Sequence, residues 1–209
     1  MKHLVLLGDS IFDNRAYVGD GQAVIDQVSH RLPQGWQASL LAVDGNTSDH
    51  IAQQLQLMPQ DATHLVLSVG GNDALGCLPR LGAPAGNVIG ALGSLAELLA
   101  PFRRSYTALM GDLLALNRPL MVCTVYDDVP GLTDALKAAL GLFNDVILRE
   151  AIRCGVPVLD LRMICTEPGD YSAKSPIEPS SQGGAKLADR LVTAVLEHDF
   201  TQRGCAVYS

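Results

Sequence analysis

Apolar residues along this chain come in two kinds of pattern. Short unbroken runs alternate with longer stretches in which they recur three and four positions apart. Residues 4–7 are continuously apolar and end at Gly8, as in a central strand buried on both faces. Runs at 37–43, 64–69, 120–126 and 156–159 predict four more strands. Helical spacing predicts helices over 22–31, 48–58, 88–117 with a break at Pro101, 132–153 and 182–198. In the last of these, Leu187, Leu191 and Val195 form a core-facing stripe. Strands alternating with helices predict βαβ units, right-handed crossovers and a parallel sheet. Residues 74–87 are rich in Gly, Pro and Ala, which predicts a loop at the ligand-binding edge, suited to a lid. No repeat or linker divides the 209 residues, so one domain spanning 1–209 is expected.

Each predicted strand ends in chemically pointed residues. The first gives Gly8-Asp9-Ser10, the second Asp44-Gly45-Asn46-Thr47, and the third Gly70-Gly71-Asn72-Asp73. The fourth gives Thr124-Val125-Tyr126-Asp127-Asp128. Open parallel sheets bind ligands at this edge. A strand ending in glycine and a small hydroxyl residue delivers that hydroxyl there, so Ser10 is the candidate nucleophile. Acyl transfer also needs donors aimed at a developing oxyanion. The backbone N–H groups of Ser10 and Gly45 and the Asn72 amide are candidates. Asp9, Thr124 and Tyr126 are candidate substrate-contacting residues, with packing or local hydrogen bonding as their alternative roles.

These blocks resemble those of the GDSL esterase/lipase superfamily, also called SGNH hydrolases. Gly8-Asp9-Ser10, Gly45 and Gly70-Gly71-Asn72-Asp73 match its first three conserved blocks in order, and Phe143-Asn144-Asp145-Val146-Ile147 resembles its fourth region. The resemblance implies a three-layer α/β/α flavodoxin-like fold, a five-stranded parallel sheet, and hydrolysis of a small-molecule ester without a cofactor. It fails at the last block. The family has Asp-x-x-His-Pro there, whereas this chain reads Ser175-Pro176-Ile177-Glu178-Pro179. Glu178 stands in the histidine position and Ser175 in the aspartate position.

Glu178 is therefore the leading candidate base, with Ser175 placed to hydrogen-bond its carboxyl. A glutamate base becomes neutral on taking a proton and needs no aspartate beside it. Its ordinary pKa of about 4.3 makes it weaker than histidine unless burial raises it. Of the five histidines, His50 alone is expected on the same side of the sheet as Ser10.

Composition narrows the alternatives. The net charge of −7 and the lack of a basic run argue against nucleic acid. No apolar run approaches a membrane span, and the N-terminal run is too short for a secretory leader. Five scattered cysteines suggest neither a disulfide framework nor a zinc site. A cytoplasmic location is expected, and the oligomeric state is left open. Two rival readings survive: an inactive binding module of the same fold, and a metal-dependent phosphoryl-transfer enzyme using Asp9, Asp44, Asp73 and Asp127.

Overall fold

A computed structural model describes residues 1–202 and 204–209. Its centre is a parallel sheet of β1 (Lys2–Gly8), β2 (Trp36–Leu40), β3 (His64–Ser68), β4 (Leu120–Cys123), β5 (Val158–Leu159) and β6 (Val207–Tyr208). The strands lie in the order β2-β1-β3-β4-β5-β6. All five expected strands form; β6 adds a sixth at the edge. At two residues, with Val207 exposed, β6 is too short to leave a hydrophobic pattern.

Alternation along β1 builds two cores. Leu4 and Leu6 face α1 (Val24–Arg31) and α7 (Ser181–Glu197). Val5 and Leu7 face the opposite layer, where α2 (Ile51–Gln56), α5 (Val88–Ala115) and α6 (Asp134–Cys154) pack. A strand with period two and apolar residues at every position must be covered on both sides. The result is the expected three-layer α/β/α arrangement.

Two segments depart from the sequence pattern. The break expected at Pro101 is absent, and α5 runs through it. Pro101 is exposed, while its neighbours Leu98, Leu99 and Phe102 are buried. Phe102 stacks on Phe143 of α6 with ring centroids 5.0 Å apart. That packing outweighs the one backbone bond a helical proline forfeits. The expected loop at 74–87 is partly helical instead. It overlaps α3 (Gly71–Leu75) and contains α4 (Leu78–Leu81), whose two leucines line a pocket while Leu78 stays exposed.

The strand ends are set by local chemistry. Gly8 has φ of +134°, and a side chain there would bring Cβ to 1.8 Å from the Ser68 carbonyl oxygen. Only glycine lets β1 leave the sheet so tightly. Just past β4, where Thr124 N still donates to Leu159 O, Asn144 takes over the backbone groups of Val125. Its Oδ1 accepts from Val125 N and its Nδ2 donates to Val125 O, each at 2.8 Å. Among the described residues, no helix is long and apolar enough to cross a membrane.

Candidate active site

Ser10 opens a single turn at the C-terminal end of β1. The Asp9 carbonyl accepts from the N–H groups of Phe12 and Asp13, and Asp9 Oδ1 accepts from Ile11 N at 3.1 Å. The Ser10 N–H is not used in this turn, which leaves it free to point toward a ligand.

The second and third strand ends are bolted to this turn. Gln54 bridges Gly8 from both sides: its Oε1 accepts from Gly8 N at 2.9 Å and its Nε2 donates to Gly8 O at 2.7 Å. The same Nε2 donates to Asn46 Oδ1 at 2.9 Å. Asn72 Nδ2 donates to the Asn46 carbonyl at 2.9 Å, which leaves its second amide hydrogen available. Asp44 N donates to Asp13 Oδ2 at 3.0 Å. Gly45 is thus held between Asp44, tied toward the Ser10 turn, and Asn46, tied to Asn72. Asp73 accepts from the N–H and hydroxyl of Ser48, so it is a structural tie between loops.

Glu178 sits on the loop before α7 and is 4% exposed. Its backbone is fixed residue by residue. Tyr126 Oη donates to the Ile177 carbonyl at 2.7 Å, Ser172 N to the Glu178 carbonyl at 2.8 Å, and Asn14 Nδ2 to the Pro179 carbonyl at 3.0 Å. The loop reaches α7 where Gly183 passes the Asp170 carbonyl; a Cβ there would lie 2.1 Å from that oxygen. The Ser10 hydroxyl lies close enough to the Glu178 carboxyl to favour its charged form. No hydrogen bond meeting ordinary geometry joins the two, and such contacts often tighten only when substrate binds. Oε2 of Glu178 is buried with no hydrogen-bond partner. Burial raises the Glu178 pKa to about 7, the Ser10 contact lowers it, and the Asp44 charge adds to the rise. Burial likewise raises Asp9 to about 8; its bond from Ile11 opposes this, and the charges of Glu178 and Asp73 add to it.

A pocket of about 110 Å³ opens beside these groups. Asp9, Ser10, Asn72, Tyr126 and Glu178 line one end, and leucines from α4, α5 and α6 line the rest. Gly45 lies outside that wall, exposed. Two sequence-based expectations fail here. Thr124 does not line the pocket: it is fully buried, donating to Asp160 Oδ1 at 2.8 Å and accepting from Leu161 N at 2.9 Å. Ser175 does not hold the carboxyl; its carbonyl accepts from Glu178 N at 3.1 Å, which closes the turn instead. Sequence reasoning missed Asn14 and Gln54, because a lone buried amide leaves no periodic or motif signal.

The histidines are occupied elsewhere. His50 Nδ1 accepts from Thr47 N at 3.1 Å, a capping contact at the surface. His198 bonds the Tyr208 hydroxyl. His3 has the connectivity of a catalytic triad, with Nδ1 on Asp61 at 2.9 Å and Nε2 on Ser39 at 2.8 Å. It sits near the start of β1, about 23 Å along the chain from Ser10 at roughly 3.3 Å per residue. It therefore ties β1 to β2 and is no part of the Ser10 site. The four strand-end aspartates do not converge either. Asp44 accepts from the Tyr17 hydroxyl at 2.6 Å, and Asp127 lies 3.8 Å from Lys137. No cluster of three or more His, Cys, Asp or Glu side chains fit to hold a metal ion occurs among the described residues.

The model of the GDSL-like Lipase/Acylhydrolase family matches residues 6–186. A comparison with curated proteins gives no match. Among solved structures, a lipase from a goat rumen metagenome is 14% identical with a TM-score of 0.72, covering 93% of this chain and 97% of its own. The acetyl xylan esterase AlAXEase is 16% identical with a TM-score of 0.69, covering 92% and 99%. An extracellular lipase from Streptomyces rimosus is 16% identical with a TM-score of 0.66, covering 93% and 99%. At these identities the likeness is one of fold.

Proposed function

The chain belongs to the GDSL-like lipase/acylhydrolase family, and we propose that it hydrolyses carboxylic esters through a Ser10 acyl-enzyme with Glu178 as the base. Ser10 Oγ attacks the ester carbonyl while its proton passes to the Glu178 carboxylate. The oxyanion that forms is met by the Ser10 N–H and the free amide hydrogen of Asn72, with the Gly45 N–H, on the exposed loop tied to Asn72 through Asn46, as the third donor. Collapse expels the alcohol, which takes the proton back from Glu178. Water then repeats the sequence on the acyl-enzyme, with Glu178 again accepting a proton.

The observation that carries this reading is the state of Glu178. It is a buried carboxyl, bolted in place through three consecutive carbonyls, with one oxygen unpartnered and the nucleophile's hydroxyl at hand. Leaving a buried carboxylate oxygen unpaired costs stability, and such costs concentrate where function requires them. A pKa of about 7 also moves the carboxyl toward the range in which histidine serves as a base.

A fluorophosphonate probe tests the nucleophile. Wild type is expected to be labelled at Ser10, and Ser10→Ala to lose labelling and at least about a thousandfold of esterase activity. Ser39→Ala, at the triad-like cluster, is expected to keep both. Wild type that resists the probe and hydrolyses no short-chain aryl ester would instead be an inactive binding module.

A further inference from the structure

We propose that Asp9 takes part in the reaction as a neutral carboxylic acid, its Oδ2–H donating a hydrogen bond to the ester oxygen as that oxygen becomes an oxyanion. The inference rests on the Ser10–Glu178 reading and adds a further donor to it. Asp9 is 2% exposed, yet it lines the Ser10 end of the pocket. Its Oδ1 accepts from Ile11 N at 3.1 Å, which leaves Oδ2 for the cavity. Oδ2 stands beside Gly71, where a built Cβ would lie 3.9 Å from it. Gly71 is the chain neighbour of Asn72, and both line the pocket. The free oxygen of Asp9 and the Asn72 amide thus border one space next to the nucleophile. Gly45 lies outside that wall.

A carboxyl donates only while it holds its proton, and the surroundings keep it there. No lysine, arginine or histidine lines the pocket, so a second anion beside Glu178 has no counter-charge. The titratable groups around Asp9 are Glu178 from the loop before α7, Asp73 from α3, Cys123 from β4 and Tyr126 from the segment after it. None of them is a cation. Two carboxyls in one desolvated site keep a proton between them. The Ser10 hydroxyl favours the charged form of Glu178, so Glu178 ionises first; Asp9 faces two carboxyls, Glu178 and Asp73, and retains its proton. Burial lifts Glu178 to about 7 and Asp9 to about 8, so between those values the base is ionised and the acid is still neutral. No proton leaves Asp9 in the cycle: it stays on Oδ2 while the oxyanion forms and collapses.

The test is the pH dependence of kcat on a short-chain aryl ester in wild type, Asp9→Asn and Asp9→Ala, with circular dichroism at each pH to keep unfolding apart from titration. Wild type is expected to lose activity above about pH 8. Asparagine donates from Nδ2 at any pH while its Oδ1 still accepts from Ile11 N. Asp9→Asn is therefore expected to keep kcat at pH 7 within about tenfold and to lose the alkaline limb. Asp9→Ala removes the donor and is expected to lower kcat on the order of 100-fold with little change in KM. If Asp9→Ala does not fold, the asparagine variant carries the test. An alkaline limb that survives in Asp9→Asn makes Asp9 a structural group, and a kcat there as low as in Asp9→Ala makes it a required anion; either would overturn the proposal. Ser10 labelled by the fluorophosphonate in those cases leaves the hydrolase reading standing. Wild type that resists the probe and turns over no ester would overturn both. Infrared difference spectra of wild type against Asp9→Asn between pH 7 and 8 add a readout independent of turnover. They are expected to show one protonated carboxyl in wild type, and its absence would overturn the proposal whatever the kinetics.

Discussion

Glu178 is held where burial and ionisation pull against each other. Its pKa near 7 implies that the ionised base is scarce below that pH. Esterase activity is expected to rise with pH through about 7 and to fall below it, the acid limb belonging to the carboxyl. Glu178→Gln keeps the shape and removes the acceptor. It is expected to lower kcat by about 10²- to 10⁴-fold and to abolish the limb; unchanged kinetics would remove the base assignment. Asp9 gives a second pH effect, on stability. Its folded pKa of about 8 lies above the 3.8 of a free aspartate, so the folded state binds the extra proton between those values. Stability from this group is full below about pH 4 and is lost as pH rises toward 8. Asp9→Asn should therefore show a smaller fall in melting temperature between pH 5 and pH 8 than wild type, measured by calorimetry. An identical fall in both proteins would contradict the buried-carboxyl account.

At the scale of elements, the site is a set of strand ends cross-linked by single side chains. Tyr126 was a candidate for substrate contact, and it does line the pocket, but its hydroxyl is used on the Ile177 carbonyl at 2.7 Å. Tyr126→Phe leaves that carbonyl without its donor and is expected to cost about 1 kcal/mol of stability. It should also lower kcat severalfold with little change in KM, because the loop carrying Glu178 loosens while the pocket wall stays. A rise in KM with kcat unchanged would make Tyr126 a binding residue. Gly8→Ala is a harsher change, since the new Cβ would meet backbone at 1.8 Å. It is expected to destabilise by at least about 3 kcal/mol in denaturant unfolding. Wild-type stability in that variant would refute the tight exit of β1. The helix through Pro101 carries the complementary lesson. A local breaker was legible in the sequence, but the burial of Leu98, Leu99 and Phe102 around it was not. Tertiary packing decided the outcome.

Across the whole molecule, what the sequence revealed was what repeats or clusters. The five main strands, their helices and the parallel arrangement follow from runs and spacings along the chain; Ser10 and Asn72 follow from strand ends, and Glu178 only from the resemblance in the last block. The two-residue β6 leaves no such pattern. Single buried amides leave none either: Asn14 and Gln54 hold the site together, and nothing near them in sequence announces it. Thr124 and Ser175 looked apt because small hydroxyl residues near a strand end suit a pocket. Which way the Thr124 hydroxyl turns depends on Asp160, 36 residues away in the chain. The apolar cavity was equally hidden, because its leucines come from helices that also supply the core.

The claim on which the account turns is that Glu178 takes the proton of Ser10. The rate of Ser10 modification by a fluorophosphonate, followed across pH 5–9 in wild type and in Glu178→Gln, measures that transfer most directly. The account predicts a wild-type rate that rises with an inflection near pH 7, and a variant rate about a hundredfold lower or less with no inflection there. Superimposable profiles for the two proteins would contradict it.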